Sequence, residues 1–191
     1  MNSTRFLREF ISKPSVTGAL APSSSFLAKT VVEGLRLETA AAVLEYGPGT
    51  GVFTDYIARE LRPGAKFVAI EVNPKLAALF KAQHPRTNLV EDSVANVRTI
   101  CDRMGILSVD CIVSSLPWAV FPESTQMELL DATMTVLKPC GKFVTFAYLH
   151  GLTLSPGKRF AELLPKYFRS VSKSSVVWMN IPPAFVYRCT K

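Results

Sequence analysis

Three glycines alternate in Glu45-Tyr46-Gly47-Pro48-Gly49-Thr50-Gly51, and a carboxylate, Glu45, stands two residues ahead of the first. Glycine lets backbone pass close to a ligand, and the free amides that open a helix bind an anionic group such as a carboxylate. Twenty residues after Gly51 comes Glu71, a second carboxylate suited to accept both hydroxyls of a ribose. Asp92 and Ser93 follow, with groups that can bond the edge of an adenine. Taken in this order, the residues describe a site for a ligand that carries a nucleoside.

That chemistry requires the residues to stand at strand ends, and the hydrophobic pattern supplies the strands. AAVLEYG, 41–47, is an apolar strand entering the glycine turn, and Phe53, Ile57 and Leu61 then recur at helical spacing. KFVAIEV, 66–72, is a second strand, after which Pro74 opens a helix with Leu76, Leu79 and Phe80 on one face. NLVED, 88–92, and VDCIVSSL, 109–116, are the third and fourth strands. A helix over about 124–137, a turn at Lys138-Pro139-Cys140-Gly141 and a strand at 142–149 follow. A helix near 158–167 and two strands, about 175–180 and 184–189, complete the pattern. Alternating strands and helices predict an α/β fold, a single doubly wound and mostly parallel sheet with ligand at the carboxyl ends of its strands.

The chain has 191 residues, of which 48% are hydrophobic, enough for one domain with a sizeable core. Residues 1–36 read as an N-terminal helical segment of that domain and 37–191 as its body. No apolar run approaches the ~20 residues that span a bilayer, and the N-terminus lacks a secretory pattern, so a cytoplasmic protein is expected. Cys101, Cys111, Cys140 and Cys189 have no CxxC spacing and read as buried thiols; only His84 and His150 are available to join them, so no metal site is expected. The net charge of +7 is unevenly divided, with +3 in residues 1–36, −4 in 37–137 and +8 in 138–191. If the two ends share one side of the fold, they form a basic surface for phospholipid headgroups or nucleic acid. A solvated surface that only aids solubility has the same composition.

A dinucleotide would also use the glycines and the first strand-end acid, but the G-x-G-x-x-G fingerprint counted from Gly47 ends on Val52. E-x-G-x-G-x-G instead resembles motif I of the class I S-adenosylmethionine-dependent methyltransferases, which have a Rossmann-like fold. The resemblance implies that Glu45 lies near the methionine moiety and that Gly47, Gly49 and Gly51 let the cofactor pass. It also assigns Glu71 to the ribose and Asp92 and Ser93 to the adenine. Thr50 in the turn, with Ser114 and Leu116 at the fourth strand's end, completes the expected cofactor contacts.

Three further segments are similar to the soluble bacterial phospholipid N-methyltransferases, which methylate phosphatidylethanolamine. They are Pro14 to Ser24 with its GALAPSS run, Ser114-Ser115-Leu116-Pro117-Trp118, and Asn180 to Arg188 with PPAFVYR. The resemblance implies an amine acceptor at a membrane surface. RNA adenine dimethyltransferases are the alternative, since they share motif I and have N-L-P-Y at the fourth strand's end. Here Ser115 and Trp118 replace the asparagine and the tyrosine, and no length remains for those enzymes' separate C-terminal helical domain. A cofactor-binding module without transfer activity is the alternative of another class.

Methyl transfer to a primary amine needs the neutral amine, yet a lysine-like pKa of ~10.4 keeps it protonated near neutrality. Tyr148, His150 and a water held by Ser115 are the candidates to take the proton, although an exposed loop is the ordinary setting for His150. The face of Trp118 suits a methylated ammonium by cation–π attraction and equally suits a core. Ser115, Trp118 and Tyr148 are thus the expected reaction-site residues. Before Pro14, Phe6, Leu7, Phe10 and Ile11 fall on one face of a short helix with Arg5, Arg8 and Lys13 largely off it. Such a face serves either an anionic lipid surface or packing on the core.

Overall fold

The computed structural model describes residues 23–191. The N-terminal amphipathic face and the segment up to Pro22 lie outside the described residues. Helix α1, Ser25–Val32, begins behind Ser24, whose hydroxyl accepts the Leu27 amide at 3.2 Å. Its Leu27, Ala28, Val31 and Val32 are buried, the spacing of a helix lying on a sheet. There follow β1 Ala42–Tyr46, α2 Val52–Glu60, β2 Lys66–Ile70, α3 Pro74–Gln83, β3 Asn88–Val90 and α4 Val97–Arg103. Next come β4 Val109–Ser114, α5 Glu123–Val136, β5 Leu137–Tyr148, α6 Ser155–Tyr167, β6 Ser170–Lys173 and β7 Ala184–Thr190.

The seven strands form one sheet in the order β3-β2-β1-β4-β5-β7-β6. β1 to β5 run parallel, and β7 lies antiparallel between β5 and β6. All five residues of β1 are buried, as a central strand covered on both faces requires. Strand alternation sends Val43 to a core shared with α1 and α2, and Leu44 and Tyr46 to a core shared with α4, α5 and α6. The doubly wound architecture is therefore as expected.

Several boundaries differ. The expected strand at 175–180 is a loop, because Ser170–Lys173 already pairs with β7 from Thr190 to Tyr187 and leaves Val177 a single bridge to Ala184. The turn expected at 138–141 falls inside β5 as an irregularity, with Cys140 at φ 61° and a register shift opposite Val109 and Cys111. Leu79 is 52% exposed, since α3 turns Ala77 and Phe80 inward. Helix α4 had no counterpart in the sequence reading. Cys101, Cys111 and Cys189 are buried free thiols, whereas Cys140, expected to be buried, is exposed at the β5 irregularity.

The indole of Trp118 stacks on Phe160 at 4.7 Å and 15°, with Phe121 and Phe143 edge-on at 6.1 Å each. Its Nε1 donates to Ser114 Oγ at 3.0 Å. Removing a ring packed in this way leaves a large cavity. Trp118→Ala is predicted to lower the unfolding free energy by about 3–5 kcal/mol in denaturant titration. A change below about 1 kcal/mol would remove Trp118 from the core.

Candidate active site

The carboxyl ends of β1, β2 and β4 converge on the glycine turn. The Gly47 amide donates to Ile70 O at the end of β2, and the Ser115 amide donates to Tyr46 O at the end of β1, each at 2.8 Å. Gly47, Gly49 and Gly51 take φ of 64°, 56° and 84°, left-handed backbone that side-chain-bearing residues adopt with strain. At Gly51 the space is closed as well, because a Cβ there would lie 2.0 Å from His84 Nε2. A Cβ on Gly47 would come within 3.1 Å of the Leu116 side chain, while one on Gly49 would meet nothing within 4 Å. The turn is therefore clamped at both ends and open in the middle.

Glu71, 2% exposed, lies just past β2, and its carboxylate links two elements. One oxygen accepts the Asn73 amide at 2.9 Å and the other accepts the Gly49 amide at 3.4 Å. Asn73 in turn caps α3 by accepting the Lys75 and Leu76 amides at 3.0 and 3.4 Å. Burial raises the Glu71 carboxyl above its ordinary range, against the lowering effect of those amides.

Glu45 is fully buried on β1. Thr54 of α2 donates to its Oε2 at 2.6 Å, and Oε1 has no hydrogen-bond partner. Burial raises this carboxyl to about 8, with the negative charges of Asp55 and Glu71 pushing the same way and Thr54 opposing.

The other expected residues divide between the site and the scaffold. Asp92 and Ser93 lie two and three residues past β3; Asp92 Oδ1 accepts the Ser93 amide at 2.6 Å and Asn96 Nδ2 at 2.8 Å. Ser93 is buried and its hydroxyl accepts the Ala95 amide. Thr50 is exposed in the turn. Ser115 is half-buried beside Gly47, and Leu116 is buried. Tyr148, at the end of β5, is half-buried, and burial raises its hydroxyl, so it is a neutral phenol. His150 is exposed and stacks on it at 5.5 Å and 8°. The Ser114 hydroxyl accepts from the Trp118 indole and the Leu116 amide, and its own O–H is left to donate. One expectation is corrected. Trp118, 3% exposed with Phe160 on its face, is packed as a core residue and offers no open face to an ammonium.

The sequence reading missed two contributors. Thr54 had no signal except its place in the first turns of α2. His84 has its ring on Phe80 at 4.7 Å, Nε2 3.4 Å from Thr50 O, and Nδ1 3.6 Å from Asp55. It packs against the glycine turn from a helix more than thirty residues away.

A seven-stranded sheet in this order, with β7 reversed and a clamped glycine turn after β1, defines a class I methyltransferase, an enzyme that uses S-adenosylmethionine. The methyltransferase domain family matches residues 43–141, and the chain belongs to that family. It is 30% identical over 187 residues to an ornithine lipid N-methyltransferase of Singulisphaera acidiphila, covering 96% of this chain and 93% of the relative. Its fold is similar to that of an O-methyltransferase from Bacillus cereus solved with SAH, at TM-score 0.73 and 16% identity over 100% of this chain and 92% of the other. The O-methyltransferase TomG of Streptomyces achromogenes, solved with SAM, gives TM-score 0.66 and 18% identity over 100% and 91%.

The buried Glu45 makes stability depend on pH. A folded carboxyl at about 8, above its ordinary 4.5, takes up a proton on folding. The stability contributed by the protonated form is fully present below the unfolded value and is lost as pH rises through the folded one. In cofactor-free protein, Glu45→Gln should therefore gain on wild type from about pH 5 to about pH 9, by an amount on the order of 4 kcal/mol. Parallel pH profiles of unfolding midpoint for the two proteins would show that Glu45 is ionised throughout.

Proposed function

We propose that the protein transfers methyl groups from S-adenosylmethionine to the primary amine of a membrane lipid headgroup. The observation that carries this is the likeness to a lipid N-methyltransferase over 96% of the chain, beyond the cofactor half that class I enzymes share. Phosphatidylethanolamine and ornithine lipid both present such an amine, and phosphatidylethanolamine is the acceptor that the three sequence segments favour.

The residues fit the cofactor in kind. Glu71 carries a carboxylate bonded only to backbone amides, which can exchange for ribose hydroxyls. Gly49 opens onto free space, and Glu45 holds a buried oxygen without a partner beside the start of α2, suited to a cationic amino acid group. Gly47, Thr50, Gly51 and Leu116 would line the cofactor's passage, and Asp92 and Ser93 would bond its adenine. When bound, S-adenosylmethionine would supply an electrophilic methyl carbon to the amine, with a neutral thioether as the leaving group. The amine would arrive neutral, its proton lost to solvent water, and Ser115 would accept an N–H hydrogen bond from it, directly or through a water, and so orient its lone pair. Tyr148, as a neutral phenol, accepts a hydrogen bond at the rim. A serine hydroxyl cannot reproduce the paired donor and acceptor of the asparagine that adenine dimethyltransferases use, so RNA is the weaker substrate.

Glu71→Ala should weaken cofactor binding by about 10- to 100-fold in calorimetry while the protein stays folded. Unchanged affinity would remove Glu71 from the ribose site. With labelled S-adenosylmethionine, label should appear in phosphatidylethanolamine or ornithine lipid and not in ribosomal RNA or its precursor particles. Ser115→Ala should lower that turnover about tenfold without altering cofactor affinity. Labelling of RNA with no lipid product would overturn the substrate, and cofactor binding without turnover on any amine would favour a binding module.

A further inference from the structure

The carboxyl edge of the sheet carries a second surface beside the site. β7 starts at Ala184 opposite Tyr148, where β5 ends, and β6 ends at Lys173 opposite Tyr187. The loop 174–183 therefore crosses the edge at which β1, β2 and β4 also end. It is held in a fixed frame. Asn180, 2% exposed, accepts the Ser24 amide at 2.9 Å and donates to Pro182 O at 2.7 Å. The Val177 amide donates to Ala184 O at 2.7 Å, and Leu149, just after β5, donates to Pro183 O at 3.0 Å.

From this frame the loop presents large apolar side chains to solvent: Trp178 is 69% exposed, Met179 66% and Ile181 84%. Phe26, in the first turn of α1, is 52% exposed, and a groove of about 680 Å³ runs between them, lined by Phe26, Lys29, Thr30, Val177, Trp178 and Met179. Such a cluster, held by buried hydrogen bonds, marks an interaction surface. The loop belongs to the segment 138–191, which carries +8 and suits an anionic partner, while the groove itself is lined by charges of both signs. Lys29 lines the groove and Lys173 ends β6, while Glu33 is paired with Arg188 at 2.9 Å. Glu60 also borders the groove, but it closes α2 at the end remote from the carboxyl edge. An indole beside lysines and aliphatic side chains is the composition of a membrane interface, where the amphipathic ring sits at headgroup level.

We propose that the loop 174–183 and the first turn of α1 dock the protein on an anionic lipid bilayer, with Trp178, Met179 and Ile181 entering the boundary between headgroups and acyl chains. The docking rests on the lipid substrate proposed above and gives that site its access, because headgroups then meet the edge where the strands end.

Trp178 is its own probe, since the chain has two tryptophans and Trp118 is buried. The full chain is mixed with vesicles of equal parts phosphatidylglycerol and phosphatidylethanolamine, with and without brominated acyl chains. Docking predicts a blue shift of tryptophan emission and quenching by the brominated chains, both absent in Trp178→Phe. It also predicts that W178S/M179S/I181S lowers vesicle partitioning by about tenfold, with cofactor affinity unchanged in calorimetry. Absence of vesicle binding, binding without quenching of Trp178, or a triple variant that partitions like wild type would overturn it. So would Trp178 shielded from acrylamide in vesicle-free buffer, which means coverage by the chain's own first 22 residues, or by a second copy where shielding grows with protein concentration. Methylation of detergent-dispersed lipid separates the two proposals. If it persists while docking fails, the surface falls and the substrate stands; if docking holds while no lipid is methylated in any form, the substrate falls and the surface stands.

Discussion

The structure depends on how the chain leaves β1. That strand is buried on both faces, and its carboxyl end releases the backbone into a turn in which every second residue lacks a side chain. The left-handed Gly47, Gly49 and Gly51 make the turn, and three contacts from elsewhere hold it: Ile70 O on the Gly47 amide, the Glu71 carboxylate on the Gly49 amide, and the His84 ring against Gly51. These come from the end of β2, the residue just past it and the end of α3, and Leu116 past β4 closes on Gly47 as well. The turn is therefore held by the second βα unit and the end of β4 together.

Buried polar groups extend the same frame. Ser114 joins the end of β4 to the Trp118 indole, and Gln126 of α5 donates to the Trp118, Phe121 and Pro156 carbonyls. At the opposite edge Asp110 accepts the Ala41 and Ala42 amides at 2.9 Å each and pairs with Lys138. Unpaired burial of such groups is costly, so their satisfaction fixes where each strand begins and ends. Tyr46, Gln126, Thr145 and Tyr187 each keep a buried oxygen without a partner, and Glu45 is the carboxyl among such groups. Its half-satisfied carboxyl is kept at a cost to stability, a pattern more often found in sites than in scaffolds.

The sheet's far side is shaped by one reversal. β6 brings the chain back to the carboxyl edge and β7 runs away from it between β5 and β6, so loop 174–183 lies at that edge, where Asn180 ties it to the start of α1. Chemistry at β1 and β4 and the apolar loop consequently share one edge of the molecule. Among the described residues no helix is long and apolar enough to cross a membrane.

What the sequence determined by itself was local. A buried central strand reads as a continuous apolar run, a left-handed turn reads as glycine, and a helix start reads as Asn-Pro, because each depends on a few neighbouring residues. The sheet class, the order of the βα units and the positions of Glu45, Gly47, Gly49, Gly51 and Glu71 were legible for that reason. Tertiary structure alone decided that Trp118 would be covered, that His84 would close on Gly51, and that β6 would begin at Ser170 and leave 175–180 as a loop. These outcomes rest on contacts between residues far apart in the chain, such as Asn180 with Ser24 across 156 positions. Trp178 and Trp118 show the difference most plainly. Both lie in apolar surroundings in sequence, yet Phe160 covers one and nothing among the described residues covers the other, because burial depends on which elements the fold brings alongside.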